Sequence, residues 1–314
     1  MTDIIAVGES MALMSTGSMG LLRHATSLRL GMAGAESNVL IGAARLGAST
    51  HWIGRVGHDE FGELIAMTIR GQGVLTSVAV DPLAPTGLMF KERRSTNATR
   101  VKYYRAGSAG SRLSPADIDT EAIASAKVLH LTGITPALSA TACEAVFSCV
   151  EEASAAGTLV SFDLNYRSAL WAENEAAPVF HELVSRADIV FATEAEARMV
   201  CDGDTAGILA RKISDLGPSQ VVIKRGSEGA VAMIEGYQHE ALPELVSEVD
   251  PVGAGDAFAA GYLSELCLGA EPSVRMRTAA LAGAFAVTVE GDWEGAPNRA
   301  DLGLIDGAAG RVMR

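Results

Sequence analysis

Short runs of apolar, largely β-branched residues recur along the chain and constrain its fold more than any other feature. They include Ile4–Val7, Val128–Leu131, Leu159–Phe162, Ile189–Phe191 and Val221–Ile223. Strands that are apolar on both faces are typical of a mainly parallel sheet covered by helices. Stretches rich in alanine and glutamate, such as 140–156 and 194–201, are candidate crossover helices. The alternation predicts an α/β protein, a three-layer α/β/α sandwich formed as a single domain over residues 1–314.

Two segments, at about residues 13–30 and 86–105, interrupt this alternation. They place polar and basic residues within strand-like patterns. One interpretation is a pair of solvated edge hairpins, and the other is a small β lid over the edge of the sheet where ligands bind. Because no linker, repeat or low-complexity tract accompanies them, a lid here is an insertion into one domain rather than a second domain.

Charge and cysteine usage narrow the class of ligand. A formal net charge of −13 at pH 7 opposes binding to nucleic acid or to an anionic membrane. The four cysteines lack C-x-x-C spacing, so neither a zinc site nor a disulfide framework is indicated. The apolar segment 279–289 is well short of the roughly 20 residues that a membrane span requires. We therefore expect a cytoplasmic protein that binds small molecules.

The segment DPVGAGDAF, from Asp250 to Phe258, is the strongest candidate for chemistry. Its glycines allow a tight turn, and the apolar run that follows predicts a helix whose first N–H groups face that turn. Gly253, Ala254 and Gly255 then form an anion hole, and the Asp256 carboxylate lies beside it as a candidate general base. The simpler alternative is a glycine-rich turn in which Asp256 only caps the helix.

DPVGAGDAF is similar to the DTVGAGDAF signature of the ribokinase-like (PfkB) carbohydrate kinases. The stretches 33–38 and 53–62 resemble the first signature of that family, with Ala33 in place of its first glycine. Thr193-Glu194-Ala195-Glu196 resembles the family's NxxE motif, with Thr193 in place of asparagine, and residues 224–229 resemble its KxGxxG nucleotide loop. The resemblance spans about residues 4–297, and neither a Walker A motif nor GxGxxG occurs.

The resemblance implies a ribokinase-like fold and transfer of a phosphoryl group from ATP, with Mg²⁺, to a sugar or sugar acid. It assigns catalysis to Asp256, with the anion hole at Gly253, Ala254 and Gly255. It assigns ATP to Asn165, Thr193, Lys224, Gly226, Gly229, Gly253 and Gly255. Glu196 is assigned to magnesium, indirectly through water. By the same resemblance we expect a homo-oligomer formed through the lid, and dependence on a monovalent cation stays open.

The acceptor is indicated by two segments that carry Arg105 and Arg167. Two guanidinium groups directed into one pocket suit a carboxylate. Both segments, and GDWEGAP at 291–297, resemble the subgroup that phosphorylates the terminal hydroxyl of 2-keto-3-deoxygluconate. This resemblance assigns the substrate to Gly34, Asn38, Tyr103, Arg105 and Arg167. Met89 replaces a tyrosine of that subgroup, and the acidic residue that neutral-sugar kinases place after the first strand is expected to be missing or displaced.

Several alternatives remain at this point. Arg105 and Arg167 are equally compatible with ordinary surface ion pairs. A fructokinase- or ribokinase-type enzyme for neutral sugars shares every phosphate-side residue. A nicotinamide-dependent oxidoreductase is disfavoured because no glycine fingerprint follows the first strand, and a non-catalytic sugar-acid binding module is disfavoured by Asp256. His130 is interpreted as a core residue, and Met11 and Met14 as packing residues.

Overall fold

The computed structural model describes residues 2–95 and 98–305, and its strands form two separate sheets. The strands are β1 (Ile4–Val7), β2 (Met11–Thr16), β3 (Leu28–Ala33), β4 (Thr50–Gly57), β5 (Leu75–Asp81), β6 (Leu88–Ser95), β7 (Ala98–Tyr104), β8 (Val128–Thr132), β9 (Leu159–Asp163), β10 (Ile189–Thr193), β11 (Gln220–Lys224), β12 (Ala230–Ile234) and β13 (Tyr237–Ala241). The helices are α1 (Ala35–Arg45), α2 (Glu60–Gly71), α3 (Thr120–Ala124), α4 (Ala140–Ala156), α5 (Glu173–Arg186), α6 (Glu194–Ala197), α7 (Ala206–Ser214), α8 (Ala254–Cys267), α9 (Pro272–Ala286) and α10 (Arg299–Ile305).

The larger sheet, as far as the described residues go, has nine strands in the order β13-β12-β11-β10-β9-β8-β1-β4-β5. The strands from β11 to β5 pair in parallel, and β12 and β13 are added antiparallel at one edge. The predicted apolar runs coincide with β1, β8, β9, β10 and β11. Chain order reverses around β1, whose neighbours are β4 and β8. Ligands of such sheets bind beyond the carboxyl ends of the strands at this kind of reversal.

Helices cover both faces of this sheet. One face packs against α3, α4, α5 and α7, with Phe162 of β9 edge-to-face on Phe180 of α5 at 5.9 Å between ring centroids. The other face packs against α1, α2, α8 and α9, where Phe191 of β10 contacts Tyr262 of α8 in the same geometry. Because both faces bury apolar side chains, the strands carry no alternation of polar and apolar residues. The prediction of a three-layer, mainly parallel α/β/α sandwich is confirmed.

The second sheet has the order β3-β2-β6-β7 within the described chain and occupies the two segments that interrupted the sequence pattern. Two antiparallel hairpins join through a parallel β2–β6 pairing, so the segments form one sheet rather than separate edge hairpins. Met11, Leu13, Met89 and Tyr103 cluster on one of its faces. The first segment is longer than expected, running from Met11 to Ala33. Its function as a lid stays a prediction.

One predicted helix is wrong. Residues 194–201 form only the short α6, which ends at Ala197, and α5 and α7 make the crossovers before and after β10. Thr193 starts a helical turn by capping it, but Asp202-Gly203-Asp204 then favours a turn over a continued helix. Among the described helices, none has both the length and the apolar character for crossing a membrane.

Candidate active site

The glycine-rich turn at 253–255 lies at the N-terminus of α8. Gly253 caps the helix with a left-handed φ of 79°, which glycine adopts without the steric cost of a side chain. A Cβ on Gly253 would also stand 1.9 Å from the carbonyl oxygen of Asp292. The N–H groups of Gly255 and Asp256 belong to the first helical turn, where no intrahelical acceptor precedes them. Together these features suit the turn to binding an anion, as predicted, and it is called the anion-site turn below.

Asp256 is the third residue of α8 and its side chain faces a cavity. Its Oδ2 accepts a hydrogen bond from Nδ2 of Asn38 at 2.8 Å. Burial raises the pKa of Asp256 to about 7, and the hydrogen bond from Asn38 only partly opposes this rise. The helix is capped by Gly253, not by this carboxylate. A carboxylate with a pKa near 7 suits a base that works near neutral pH. The alternative, in which Asp256 only caps the helix, does not match this geometry.

Lys224 and Asp163 form an ion pair at the same edge of the sheet. Lys224 ends β11 and Asp163 ends β9, and Nζ lies 2.5 Å from Oδ2. Burial by itself lowers the pKa of Lys224, but Asp163 and other carboxylates outweigh it, so the pKa lies above its usual value and the side chain is charged. Oδ1 of Asp163 is buried and has no hydrogen-bond partner in the described chain. Sequence reasoning missed Asp163, although its place at the end of a buried strand was a usable signal.

Thr193, Glu196 and Asn165 lie along this edge and border the cavity. The Thr193 N–H and hydroxyl both donate to Oε2 of Glu196, at 2.8 and 2.9 Å, while Oε1 accepts from the Tyr166 N–H at 2.9 Å. Asn165 has a φ of 38°, which is uncommon for a residue with a side chain. Glu196 thus fixes the loop after β9 as well as the start of α6. Thr193 performs the capping that asparagine performs equally well.

A cavity of about 350 Å³ lies beyond Lys224. Of the residues that the sequence assigned to ATP or the anion hole, Gly226, Gly229, Ala254 and Gly255 border it. Its far wall is apolar and includes Phe258 and Val287. A polar mouth with an apolar wall suits a nucleoside, whose base is planar and whose phosphates extend toward the mouth.

A larger cavity of about 550 Å³ adjoins it and extends beneath the four-stranded sheet. The two cavities share Lys224, Gly226 and Gly255 in their walls. Every residue predicted to bind the substrate borders the larger one: Gly34, Asn38, Tyr103, Arg105 and Arg167. Gly34 must be small, because a Cβ there would lie 2.6 Å from Oγ of Ser10. Asp256 borders this cavity as well, so the candidate base faces the space for an acceptor hydroxyl.

Glu9 bears on the expectation that the acidic residue after the first strand is missing or displaced. Its buried carboxylate borders the larger cavity directly after β1. Oε2 of Glu9 binds Nε and Nη2 of Arg105 at 2.7 and 2.5 Å, and Oε1 accepts from the Ser108 hydroxyl at 2.7 Å. Sequence reasoning missed this pair because its partners are 96 residues apart.

The two predicted arginines therefore differ. Arg105 is buried and its charge is matched by Glu9, so it is not a surface ion pair. Arg167 is exposed, and its positive charge lowers the pKa of Asp256, which places it electrostatically next to the candidate base. Of these two arginines, Arg105 is ion-paired with a carboxylate of the described chain, so Arg167 is the better source of positive charge for an acidic acceptor.

Two further buried groups lie near the site. Glu36 borders the larger cavity, where burial raises its pKa and the Thr132 and Thr135 hydroxyls donate to Oε1 at 2.7 and 2.8 Å. His130 lies within β8, fully buried, with Nδ1 3.0 Å from the Ser161 hydroxyl. Burial lowers the pKa of His130 to about 3. The interpretation of His130 as a core residue is confirmed.

The residues present fit ATP and magnesium. The first turn of α8 and the charged Lys224 meet where the two cavities adjoin, and Asp163 holds Lys224 there through the ion pair. No group of three or more His, Cys, Asp or Glu side chains in the described ranges is arranged to hold a metal directly. Magnesium is commonly bound by phosphate and water oxygens with few protein ligands, so an indirect contact through Glu196 suits this arrangement.

Comparisons with known proteins agree over nearly the whole chain. A model described as pfkB family carbohydrate kinase matches residues 1–299. The chain is 37% identical over 305 residues to a 2-dehydro-3-deoxygluconokinase of Thermoproteus tenax, covering 95% of this chain and 92% of that one. It is 33% identical over 293 residues to a 2-dehydro-3-deoxygalactonokinase of Haloferax volcanii, covering 92% of each. A crystal structure of a PfkB protein from a Polaromonas species matches with a TM-score of 0.88 at 37% identity, covering 96% of this chain and 99% of that one.

Proposed function

The chain belongs to the pfkB family of carbohydrate kinases, and from that premise we propose that it phosphorylates the terminal hydroxyl of 2-dehydro-3-deoxygluconate, also called 2-keto-3-deoxygluconate. The observation that carries the proposal is the position of Asp256. It borders the cavity lined by Tyr103, Arg105 and Arg167, and it directly follows Gly255, which also borders the cavity suited to a nucleotide. The relatives named for 2-dehydro-3-deoxy sugar acids support the class of acceptor.

On the phosphate side, the chain holds the terminal phosphate of ATP at the first turn of α8. The N–H groups of Gly255 and Asp256 meet the phosphate oxygens, and the helix dipole favours the negative charge there. Lys224 adds a full positive charge that Asp163 orients. Magnesium, when bound, supplies charge neutralisation across the phosphate oxygens. These groups are fixed before the acceptor arrives, so they need little rearrangement as charge builds on the transferred group.

On the acceptor side, Asp256 accepts the proton of the terminal hydroxyl while that oxygen forms a bond to the terminal phosphorus. The bond between this phosphorus and the bridging oxygen of ADP breaks at the same time. Asn38 holds the Asp256 carboxylate in place through a 2.8 Å hydrogen bond. Arg167 and Arg105 bind the carboxylate at the other end of the acceptor, with Arg105 oriented by Glu9.

The test is ADP release measured against a panel of acceptors: 2-keto-3-deoxygluconate, its galacto epimer, fructose and ribose. We expect kcat/KM for the keto-deoxy acids to exceed that for the neutral sugars by at least about tenfold, or 1.4 kcal/mol. A smaller difference contradicts the proposed acceptor. The two epimers compared with one another decide which of the two named relatives this chain follows.

A neutral-sugar kinase of the fructokinase or ribokinase type is the second candidate, and Glu9 favours it. The Glu9 carboxylate cancels the charge of Arg105 and lies directly after β1, in a position to accept hydrogen bonds from vicinal hydroxyls. However, both of its oxygens already have donors, from Arg105 and Ser108. The hydroxyls of a neutral sugar can therefore donate only to the lone pairs of Glu9 that Arg105 and Ser108 do not already use.

We also propose that two copies associate through the lid sheet, on the face away from the cavity. Leu30 and Tyr104 are 57% and 60% exposed there, and Phe90 packs edge-to-face on Tyr104. An exposed apolar face on a short sheet favours self-association. Light scattering at several protein concentrations tests this: we expect a dimer or larger assembly for the wild type and a smaller species for Leu30→Glu. An unaltered mass in that variant contradicts the proposal.

A further inference from the structure

Lys91 of the lid sheet lies between two buried carboxylates that belong to other parts of the chain. Its Nζ is 2.7 Å from Oδ2 of Asp250 and 3.2 Å from Oδ1 of Asp292. The three side chains are 9%, 8% and 5% exposed, respectively. Two carboxylates and one ammonium therefore share a site with little water. Buried carboxylates are costly without a counter-charge, and among the described residues Lys91 is ion-paired with both of them.

The residues that carry the two carboxylates adjoin the anion-site turn. Asp250 begins the segment that leads into the turn, and its carboxylate also accepts the N–H of Val252, directly before the turn, and the N–H of Gly291, each at 3.3 Å. The backbone carbonyl oxygen of Asp292 lies where a Cβ of residue 253 would stand. The Lys91 ammonium thus joins two residues that border the turn.

Lys91 also connects the turn to the acceptor cavity. On β6 it is two residues from Met89, so the two side chains point to the same face of the lid sheet. Met89 borders the acceptor cavity, and so does Asp292. Burial by itself lowers the pKa of Lys91, but Asp292 and Asp250 outweigh it and the pKa lies above its usual value. Burial raises the pKa of Asp292, and Lys91 opposes this rise.

We propose that Lys91 is a positioning residue: its ammonium couples the placement of the lid sheet to the geometry of the anion-site turn at Gly253. The lid supplies in cis the cation that Asp250 and Asp292 require. With the lid over the acceptor, the ammonium lies between the carboxylates and the turn has the shape that binds the transferred phosphate. With the lid displaced, the two carboxylates repel one another and the turn loses that shape. Lys91 therefore acts on the reaction through Asp250 and Asp292 and not by touching the reacting atoms.

The experiment uses two substitutions and a matched control. Lys91→Met keeps the length of the side chain without its charge, and Lys91→Ala leaves room for a small cation. Lys212 is an exposed lysine on α7, outside the lid sheet, so Lys212→Met and Lys212→Ala are the controls. We expect kcat of Lys91→Met to fall about 100-fold with KM for the acceptor little changed, because a displaced turn misaligns the transferred phosphate. The Lys212 variants are expected to keep wild-type kcat.

The decisive readout is chemical rescue. Ammonium chloride or methylammonium chloride is expected to raise kcat of Lys91→Ala, whereas tetramethylammonium chloride at equal ionic strength is not, because that cation is too large for the space. A kcat within about threefold of wild type in Lys91→Met overturns the proposal. A loss in Lys91→Ala that ammonium does not restore also overturns it, since shape rather than charge is then responsible.

If neither variant folds, Lys91→Gln takes their place. It retains an N–H donor for Asp250 but no charge, and the same loss of kcat is expected, while a kcat equal to that of the wild type overturns the proposal. All variants are assayed with whichever acceptor the wild type phosphorylates. If the wild type prefers neutral sugars, the proposed acceptor is wrong, but the test of Lys91 can still be carried out and interpreted.

Discussion

The phosphate side and the acceptor side of the site are built in different ways. Lys224, Asp163 and Thr193 stand at the carboxyl ends of parallel strands, and the anion site is the start of a long helix, so the phosphate side is part of the main-chain framework. The acceptor side depends on a second sheet, held to the framework by contacts such as Glu9–Arg105. Under the proposed function, the residues of the chemistry are therefore positioned by secondary structure, whereas acceptor choice depends on a few long-range side-chain pairs.

The largest expected effect is on the framework side. Asp256→Asn removes the base while keeping the size of the side chain and the neighbouring anion site. We expect kcat to fall by about 100-fold to 10,000-fold, because a positioned base contributes that much to proton transfer. Steady-state kinetics of ADP release measures it. Turnover within tenfold of wild type, with binding intact, removes Asp256 from the mechanism.

The same variant tests the cost of keeping Asp256 buried. The folded-state pKa lies above the unfolded value, so the folded protein holds the proton more tightly and its stability falls as pH rises from about 4 to 7. Asparagine has no charge to bury. Asp256→Asn is therefore expected to be more stable than wild type by about 4 kcal/mol at pH 8, with the gain disappearing near pH 4. Thermal melting at both pH values checks this, and a lower melting temperature at pH 8 contradicts it.

Lys224→Met probes the other charged group of the phosphate side. It leaves Asp163 buried with no counter-charge and removes the cation from the junction of the cavities. We expect kcat/KM for ATP to fall about 100-fold, through both weaker binding and weaker transition-state stabilisation. Calorimetric titration with MgATP separates the two contributions. The KM of the acceptor is expected to change far less. If KM for the acceptor rises as much as KM for ATP, the phosphate side and the acceptor side are not independent.

The pH profile gives an effect of about tenfold per unit. Because Asp256 must be deprotonated to accept a proton and its pKa is about 7, kcat/KM is expected to fall tenfold for each pH unit below 7. Asn38→Ala removes the hydrogen bond that lowers this pKa, and the descending limb is then expected at higher pH. A limb near pH 4 in the wild type means that another group limits the rate.

Glu9→Gln addresses the acceptor side. The guanidinium of Arg105 loses its buried counter-charge and one fixed orientation, while the phosphate side is untouched. We expect KM for the keto-deoxy acid to rise about tenfold with kcat altered less, since the group binds the acceptor without entering the chemistry. Parallel assays with Arg105→Lys are expected to show a similar rise, because a lysine lacks the paired donors. A larger change in kcat than in KM places Glu9 in the chemistry instead.

Met89→Tyr is expected to have the smallest effect. Met89 borders the acceptor cavity and is 5% exposed, so a tyrosine adds a hydroxyl at the cavity wall. If that hydroxyl reaches the acceptor, KM falls by about threefold to tenfold, the value of one hydrogen bond. Competition between the keto-deoxy acid and fructose measures whether the gain is selective. A rise in KM for both means that the larger ring crowds the cavity.

Much of the framework was predictable because its signals are local. A buried strand is recognisable from five or so neighbouring residues, and Gly253 to Asp256 form their site within one turn of chain. The helix predicted at 194–201 is wrong: α6 ends at Ala197, and the chain continues in turns toward Asp202-Gly203-Asp204, whose residues favour turns. Glu9, Asp163, Lys91 and Asp292 were missed since an isolated charged residue gives no sign of its partner.

Local pattern was enough to identify five strands of the larger sheet, the glycine-rich turn and the family, since each depends on residues that are close along the chain. The pairing of Glu9 with Arg105, and of Lys91 with Asp250 and Asp292 across more than 150 residues, became visible only in the folded structure. Two opposite charges attract one another strongly only when water is removed from around them. That removal happens only after distant segments have packed together.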